Sequence, residues 1–308
     1  MKKKKIFELQ SLYRENLVIE GYEFGEGGLG ACIVGSLRGN EIQQLYVCSQ
    51  LIRKLKEIEA DNPDRIKKKV MIVPSANHYS LNIGQRFWAP DHTDINRMFP
   101  GYDEGETVQR IADGIFQGIK DYPYGLQFTS NYVAGDYAPH IRIMRTGLED
   151  IEDAKKFGMP YVVLREPRPY DTTTLNYNWQ IWDTDAFSIY TGATDCVDNE
   201  KALLSYHAVL RFLNAKHIID CPVEEEQTSV VINEEKLSTV QTKRAGLFHA
   251  LASTGQEVKK GDTLAFIYDP FEGDVREEIK SPVDGTVFFN YTKPLVYAKT
   301  IAFKILGI

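Results

Sequence analysis

The amino-acid sequence predicts a large α/β domain, with a mixed sheet flanked by helices, followed by a small all-β domain. Over the first two-thirds of the chain, short apolar runs alternate with segments of helical spacing, a pattern typical of α/β folds. Near residue 227 the pattern changes to short β runs divided by glycines. The length of 308 residues also exceeds the size at which a single core usually stops growing.

The first third of the chain predicts strand, helix, strand and then a long loop. Residues 31–35 and 70–73 are short apolar strand candidates, and residues 40–60 show helical spacing of apolar side chains. Residues 75–101 are polar and aromatic without a clear period. Loops of this length inside a compact domain are often functional.

Further alternation completes the α/β prediction. Helical spacing of apolar side chains returns at residues 108–119 and 198–214. Between these two segments, strand-like apolar runs occur at 124–128, 161–164 and 186–190. Glu224-Glu225-Glu226-Gln227 is interpreted as a charged linker. The predicted domains are therefore residues 1–226 and 227–308.

The C-terminal segment resembles, in its glycine-divided β runs, the barrel-sandwich fold of biotinyl and lipoyl domains. The resemblance is carried by residues 255–262 and by Pro-Val-Asp-Gly at 282–285. Those carrier domains present a modifiable lysine on an exposed hairpin, whereas the comparable residues 269–274 contain none. A swinging-arm function is therefore disfavoured, and no biotin or lipoate is expected.

Composition and charge exclude several classes of protein. The 43 acidic residues outnumber the 36 basic ones, for a net charge of −7, so a nucleic-acid-binding surface is not expected. The lysines at 2–5 are interpreted as a solvated, frayed terminus, and Glu8 interrupts what would be the apolar part of a signal peptide. No window approaches the roughly 18 apolar residues of a membrane helix. The expected location is the cytoplasm, without a membrane partner.

The long loop contains the most specific motif. Asp-Ile-Asn-Arg-Met-Phe-Pro-Gly at residues 94–101 resembles the Asp-Leu-Asn-Arg-x-Phe-Pro-Gly signature of the succinylglutamate desuccinylase and aspartoacylase family. Gly-Ser-Leu-Arg-Gly-Asn-Glu at 35–41 resembles that family's Gly-x-x-His-Gly-Asn-Glu, and residues 74–86 are similar to its segment bearing a second active-site arginine. Because members also end in a small β domain, the resemblance covers nearly the whole chain and implies a zinc-carboxypeptidase-like fold.

The resemblance implies an arginine-rich pocket for a small carboxylate ligand. Asn96 and Arg97 match the pair that binds the substrate carboxylate, a role suited to amide donors beside a planar guanidinium fork. Arg86 matches the arginine that faces the scissile carbonyl and stabilises the oxyanion. Arg38 is expected to add a further cation for the ligand.

The metal-binding positions depart from the family pattern. Members hold zinc with two histidines and a glutamate; Glu41 matches the glutamate, but Arg38 and Gln127 stand at the histidine positions. A guanidinium has no lone pair to donate, and an amide oxygen is a poor substitute for imidazole at zinc. Tyr190 replaces the general-base glutamate, and a phenol with a pKa near about 10 is an inefficient base. No metal cofactor is therefore expected, and Arg38 is predicted to pair with Glu41 in zinc's place.

Two functional hypotheses remain open at this point. One is a protein that binds an acidic or N-acyl amino acid without zinc-dependent hydrolysis. The other is a zinc-dependent deacylase with an altered ligand set, in which His78, His92 or His140 joins Glu41; the alternative for His140 is a hydrogen-bonded histidine in an irregular segment. Besides the small-molecule ligand, the expected protein partner is a second copy of this chain or a relative that retains the metal ligands.

Overall fold

The chain forms two compact units. The computed structural model describes residues 1–13, 15–223 and 228–307, so the predicted linker at 224–227 lies outside the described residues. The first unit comprises residues 1–129, 140–189 and 194–231, and the second comprises 130–139, 190–193 and 232–308. Two short segments that the sequence assigns to the N-terminal domain therefore belong to the second unit.

The first unit is built on a nine-stranded sheet with helices on both faces. Its helices are α1 (Ile42–Asp61), α2 (His78–Asn82), α3 (Thr107–Ile119), α4 (Ile151–Lys155), α5 (Leu175–Ile181) and α6 (Asn199–Ala215). Its strands are β1 (Lys2–Leu9), β2 (Leu17–Phe24), β3 (Leu29–Ser36), β4 (Lys69–Ser75), β5 (Tyr124–Phe128), β7 (His140–Met144), β8 (Tyr161–Arg165), β9 (Asp185–Tyr190) and β10 (Val230–Asn233). The spatial order is β1-β2-β4-β3-β5-β9-β7-β8-β10. Strands β4, β3, β5 and β9 run parallel, while β1 and β2 are antiparallel additions.

Both faces of the central strands are buried. Along β3, Ala31 and Ile33 belong to one hydrophobic cluster, and Cys32 and Val34 belong to the other. The first cluster includes the buried faces of α1 and α6, and the second includes those of α3 and α5. A period of two residues sends neighbouring side chains to opposite faces, which is why this strand is a continuous apolar run rather than an alternating one.

Three sequence expectations need correction. Lys2 to Lys5 lie in β1, paired with β2, and are not a frayed terminus; their side chains remain exposed and pair with glutamates. His140 is the buried first residue of β7 and does not lie in an irregular segment. The loop at 75–101 contains the short helix α2 and a 3₁₀ turn at Ile95–Arg97. Backbone pairing between strands forms β1 and β7, and side-chain caps begin the two turns in the loop; apolar periodicity registers neither.

The second unit is a pair of antiparallel sheets. Its strands are β6 (Gly135–Tyr137), β11 (Leu237–Gln241), β12 (Gly246–Ala250), β13 (Glu257–Val258), β14 (Thr263–Tyr268), β15 (Val275–Lys280), β16 (Gly285–Tyr291), β17 (Leu295–Val296) and β18 (Ile301–Gly307). One sheet has the order β11-β18-β16-β13 with β6 against β16, and the other has the order β15-β14-β12-β17. Leu264, Val287 and Phe303 lie in their shared core. The predicted fold class, a mixed α/β sheet with helices plus a small all-β unit, is confirmed.

The tip between β14 and β15 corresponds to the carrier hairpin of the resemblance. Asp269 accepts hydrogen bonds from the backbone N–H groups of Phe271 and Glu272, which fixes the turn. Phe271 is 94% exposed at this tip. Within the described residues, no helix is long and apolar enough to cross a bilayer.

Candidate functional site

The candidate site lies at the carboxyl ends of the parallel strands, where open α/β sheets usually bind ligands. Glu41 follows β3 as the residue immediately before α1 and is fully buried. Its Oε2 accepts hydrogen bonds from the backbone N–H groups of Leu37 and Arg38, each at 3.1 Å. The tight turn after β3 thus folds back on this carboxylate and fixes its position.

Arg38 bridges two carboxylates, and the predicted ion pair with Glu41 is present. Its Nη1 donates to Glu41 Oε1 at 3.1 Å, while its Nη2 donates to Asp94 Oδ2 at 2.9 Å and its Nε to both Asp94 oxygens at 3.1 Å. The side chain is only 4% exposed. Burial alone lowers the pKa of the Arg38 guanidinium, but Asp94 and Glu41 outweigh burial and hold that pKa above its ordinary value. Arg38 is therefore a fixed cation.

Asp94 also organises the turn that carries the Asn-Arg pair. Its Oδ1 accepts a hydrogen bond from the backbone N–H of Asn96 at 3.0 Å, which caps the 3₁₀ turn at Ile95–Arg97. Asn96 Oδ1 in turn accepts from Gln127 Nε2 at 3.1 Å and from the backbone N–H of Leu175 at 3.2 Å. These two bonds fix the orientation of the amide, and its Nδ2 has no hydrogen-bond partner among the described residues. The site therefore presents that amino group as a donor.

The donor set in this region does not fit a zinc ion. Arg38 places donor N–H groups against Glu41, where a metal would need a lone pair. Gln127 donates its amino group to Asn96 Oδ1, and the carboxamide oxygen that remains is a poor substitute for imidazole at zinc. Across the described parts of the chain, no group of three or more His, Cys, Asp and Glu side chains is arranged to hold a metal ion.

Arg97 is partly exposed, and one edge of its guanidinium is already used. Its Nη1 donates to the backbone carbonyl of Tyr170 and lies 3.6 Å from Asp171 Oδ1. Its guanidinium carbon is 5.3 Å from the centroid of the Tyr170 ring. No described residue pairs with Nε or Nη2, the edge that forms two parallel hydrogen bonds to a carboxylate.

Arg86 lies beside the turn that holds Arg38. Its carbonyl accepts a hydrogen bond from the backbone N–H of Gly39 at 3.0 Å, and its guanidinium carbon is 5.6 Å from the Phe87 ring centroid. A Cβ on Gly39 would lie 2.4 Å from the backbone of Ser80, so only glycine permits this close approach. The two predicted arginine segments therefore meet through their backbones.

Several buried polar atoms near these segments have no hydrogen-bond partner among the described residues. They are Asn40 Oδ1, Gln44 Oε1 and Asn77 Nδ2. The residues that carry them precede α1, lie in its first turn and precede α2, respectively. Native proteins leave few such groups without a protein, water or ligand partner. A bound water molecule or a polar ligand atom would satisfy them.

The remaining sequence-predicted residues fall in different places. Tyr190 ends β9, is 3% exposed and belongs to the second compact unit, where its ring centroid is 6.4 Å from that of Tyr137. His92 is exposed with a positive φ of 59°. His78 is partly buried, and burial lowers its pKa.

Sequence reasoning missed the residues that position the predicted ones. Asp94 was visible as the first residue of the family motif, but nothing in the motif indicated that it pairs with Arg38. Tyr170 and Asp171, which hold Arg97, lie in a 3₁₀ turn at Pro169–Asp171. The available signal was the unusual density of arginine and proline at 165–169.

Comparison with known proteins identifies relatives over most of the chain. A family model described as the succinylglutamate desuccinylase/aspartoacylase catalytic domain matches residues 28–201. The N-alpha-acetyl-L-2,4-diaminobutyric acid deacetylase of Halomonas elongata is 22% identical, over 85% of this chain and 77% of its own length.

Solved structures with the same fold include two close matches in shape. The product-bound ectoine utilization protein EutE (DoeB) from Ruegeria pomeroyi has a TM-score of 0.82 at 18% identity, covering 98% of this chain and 93% of that one. A succinylglutamate desuccinylase/aspartoacylase from Rhodobacter sphaeroides has a TM-score of 0.78 at 20% identity, covering 94% and 89%. At these identities the likeness shows the fold.

Proposed function

Because the chain belongs to the succinylglutamate desuccinylase/aspartoacylase family, we propose that it uses the family scaffold to bind a small carboxylate ligand without zinc-dependent hydrolysis. The ligand class is an acidic or N-acyl amino acid. The observation that carries the proposal is the guanidinium of Arg38 bonded to Glu41, the one acidic residue at a family zinc-ligand position.

The charge arrangement explains why this pairing replaces a metal. A buried carboxylate without a cation is costly, and it normally becomes protonated or paired. Arg38 supplies a permanent positive charge to Glu41 and Asp94 together. A guanidinium donates hydrogen bonds but does not activate a water molecule as a metal ion does. The site keeps electrostatic balance without the hydrolytic group.

Donors for the ligand come from the Asn-Arg pair. The open Nε–Nη2 edge of Arg97 suits a planar carboxylate, and the Asn96 amino group adds a neighbouring donor. Both are held on one 3₁₀ turn, so their relative position is fixed before the ligand arrives. Such pre-organisation reduces the entropy lost on binding.

The second candidate is a zinc-dependent deacylase with an altered ligand set. It is favoured by the deacetylase of Halomonas elongata, whose match extends over most of this chain. In that case a metal ion would have to displace Arg38 from Glu41. Its remaining ligands would come from imidazoles elsewhere in the chain, such as those of His78, His92 or His140. The buried bonds of Arg38 oppose such a rearrangement.

Metal analysis and calorimetry on one preparation separate the two candidates. We expect the protein purified without added metal to contain far less than one zinc per chain, and to bind N-acetylated acidic amino acids without cleaving them. Arg97→Ala should abolish binding, whereas Arg110→Ala should not; Arg110 is an exposed arginine of α3 with no ion pair among the described residues. Stoichiometric zinc that survives dialysis and is lost in Glu41→Ala, together with released acetate, would establish the deacylase instead.

A further inference from the structure

Helix α5 buries polar groups that have no partner. Asn176, Trp179 and Gln180 are 1%, 0% and 3% exposed. Both polar atoms of the Asn176 amide, the indole Nε1 of Trp179 and the Oε1 of Gln180 are closed to solvent and find no hydrogen-bond partner in the part of the chain that the structure describes. Folded proteins leave few buried polar groups in this state, so four such atoms on a helix of seven residues require an explanation.

These side chains share one side of α5, the side that faces the sheet. Positions 176, 179 and 180 are three and four residues apart, a spacing that places them together on a helix. Gln180 Nε2 donates to the carbonyl of Met144, the last residue of β7, at 2.9 Å. The ring of Trp179 covers Gly125 of β5, where a Cβ would lie 2.5 Å from the indole. The four atoms therefore lie on the side of α5 that packs against β5 and β7.

This side of α5 begins at the proposed ligand site. The backbone N–H of Leu175, the first residue of the helix, donates to Asn96 Oδ1 at 3.2 Å. An α-helix rises about 1.5 Å per residue, so Asn176 and Gln180 both lie within about 8 Å of Leu175 along the axis. A ligand held by Asn96 and Arg97 could therefore extend one further polar group to α5.

The atoms without partners suit an uncharged carboxamide. Two are donors, Asn176 Nδ2 and Trp179 Nε1, and two are acceptors, Asn176 Oδ1 and Gln180 Oε1. A carboxylate could not pair with the acceptors, and an ammonium group could not pair with the donors, whereas a carboxamide offers both an N–H and a carbonyl oxygen. The sequence of α5, Leu-Asn-Tyr-Asn-Trp-Gln-Ile, also contains no charged side chain that would favour an ion.

We propose that this side of α5 is a subsite for an uncharged carboxamide on the ligand whose carboxylate binds Arg97. The inference rests on the proposed function and narrows its ligand class to N-acyl amino acids with a carboxamide side chain. Because the four atoms are closed to solvent, α5 must move away from the sheet as the ligand enters. Missing hydrogen bonds weaken the closed position of the helix, and the ligand restores them, so stability of the free protein is exchanged for binding.

Three ligands test the subsite on the full-length wild type by calorimetry at constant ionic strength. N-acetyl-L-glutamine, N-acetyl-L-glutamate and the γ-methyl ester of N-acetyl-L-glutamate share the α-carboxylate and differ only at the end of the side chain. The ester is uncharged like the amide but lacks its N–H donors. We expect the glutamine derivative to bind at least about tenfold more tightly than either of the others, as expected for one lost hydrogen bond in a buried site. Asn176→Leu should bring the ratio of amide to ester near one.

The melting temperature of the free protein tests the exchange of stability for binding. Asn176→Leu removes buried atoms that have no partner and should raise Tm by about 2–4 °C. Asn178→Leu is the matched control on the same helix: Asn178 Nδ2 donates to the carbonyl oxygens of Thr172 and Thr174 at 2.9 Å each, so its loss should lower Tm. A lower Tm in both variants would show that Asn176 has an ordinary structural role and would overturn the inference.

The outcomes separate the subsite from the proposed function. If the wild type binds all three ligands equally and Arg97→Ala abolishes this binding, the carboxylate site stands and the carboxamide subsite is wrong. Tighter binding of N-acetyl-L-glutamate than of the amide would likewise overturn the subsite alone. If none of the three ligands binds the wild type, the proposed function fails and the inference fails with it. The wild-type comparison decides the inference even if Asn176→Leu does not fold.

Discussion

Replacing Arg38 by methionine tests whether its guanidinium stabilises the fold by pairing with the carboxylates of Glu41 and Asp94. The substitution keeps an apolar stem of similar length but removes the cation that Glu41 and Asp94 share. Glu41 keeps its two backbone hydrogen bonds and Asp94 keeps the one from Asn96. Neither carboxylate would be left entirely without donors, so the cost should lie at the lower end of the range for a broken buried ion pair.

The expected magnitude follows from burial. Removing one partner of a buried pair typically costs about 3–5 kcal/mol, and the retained bonds favour a loss of about 3 kcal/mol in the free energy of unfolding at pH 7. For domains of this size each kcal/mol lowers Tm by roughly 2–4 °C. We therefore expect the melting transition of the first unit to fall by about 6–12 °C.

Chemical denaturation followed by circular dichroism measures the loss in the free energy of unfolding. A double-mutant cycle with Glu41→Gln shows how much of that loss belongs to the Arg38–Glu41 ion pair. The double variant should be less destabilised than the sum of the single ones, with a coupling of at least about 0.5 kcal/mol. Arg110→Met, an exposed arginine-to-methionine control, should stay within about 0.5 kcal/mol of the wild type. A loss of less than about 1 kcal/mol in the free energy of unfolding of Arg38→Met, or strict additivity in the cycle, would show that Arg38 does not stabilise the buried carboxylates.

Four further predictions address the metal site, the backbone, the acid response and the C-terminal unit. Arg38→His restores one imidazole but should gain little zinc by metal analysis, because Gln127 remains; stoichiometric uptake would contradict the interpretation. Gly101→Ala should lower the free energy of unfolding by at least about 3 kcal/mol, since φ is +97° and a Cβ would lie 2.0 Å from the backbone N of Asp113. For Asp153, burial raises the pKa, but hydrogen bonds from two lysines outweigh it and hold the pKa below its ordinary value; the resulting stability is present above about pH 4 and is lost as pH falls through the lowered pKa. The stability difference between wild type and Asp153→Asn should therefore be full at pH 7 and shrink below pH of about 4 in denaturation experiments, and a constant difference would refute this. Intact-mass measurement should show no biotin or lipoate, and either adduct would contradict the assignment of the C-terminal unit.

The central elements were predictable because their apolar patterns are strong. Helices α1, α3 and α6 and strands β3, β4, β5 and β9 follow runs whose buried faces are visible in the sequence. Strand β1 was missed because four of its first residues are lysines, and its pairing with β2 comes from backbone hydrogen bonds rather than from apolar periodicity. Helix α2 has five residues, too few to display a helical period.

The positions of the candidate site residues follow from the motif, whereas the contacts between them do not. The motif located Arg38, Glu41, Asn96 and Arg97, and their positions along the chain were enough to suggest the ion pair three residues apart. Asp94 bonds to Arg38 across 56 residues of chain, and such a long-range contact has no local signal. The same holds for the groups that hold Arg97, which come from a turn more than seventy residues away.

The double engagement of Asp94 ties the charge at position 38 to the shape of a neighbouring turn. One carboxylate both pairs with Arg38 and caps the turn that carries Asn96 and Arg97. A histidine at position 38 would remove a permanent cation from Asp94 and disturb that turn, while position 127 would still carry an amide. A zinc site engineered at these positions would therefore need histidines at 38 and 127 together, and each single substitution alone should cost stability without gaining a metal.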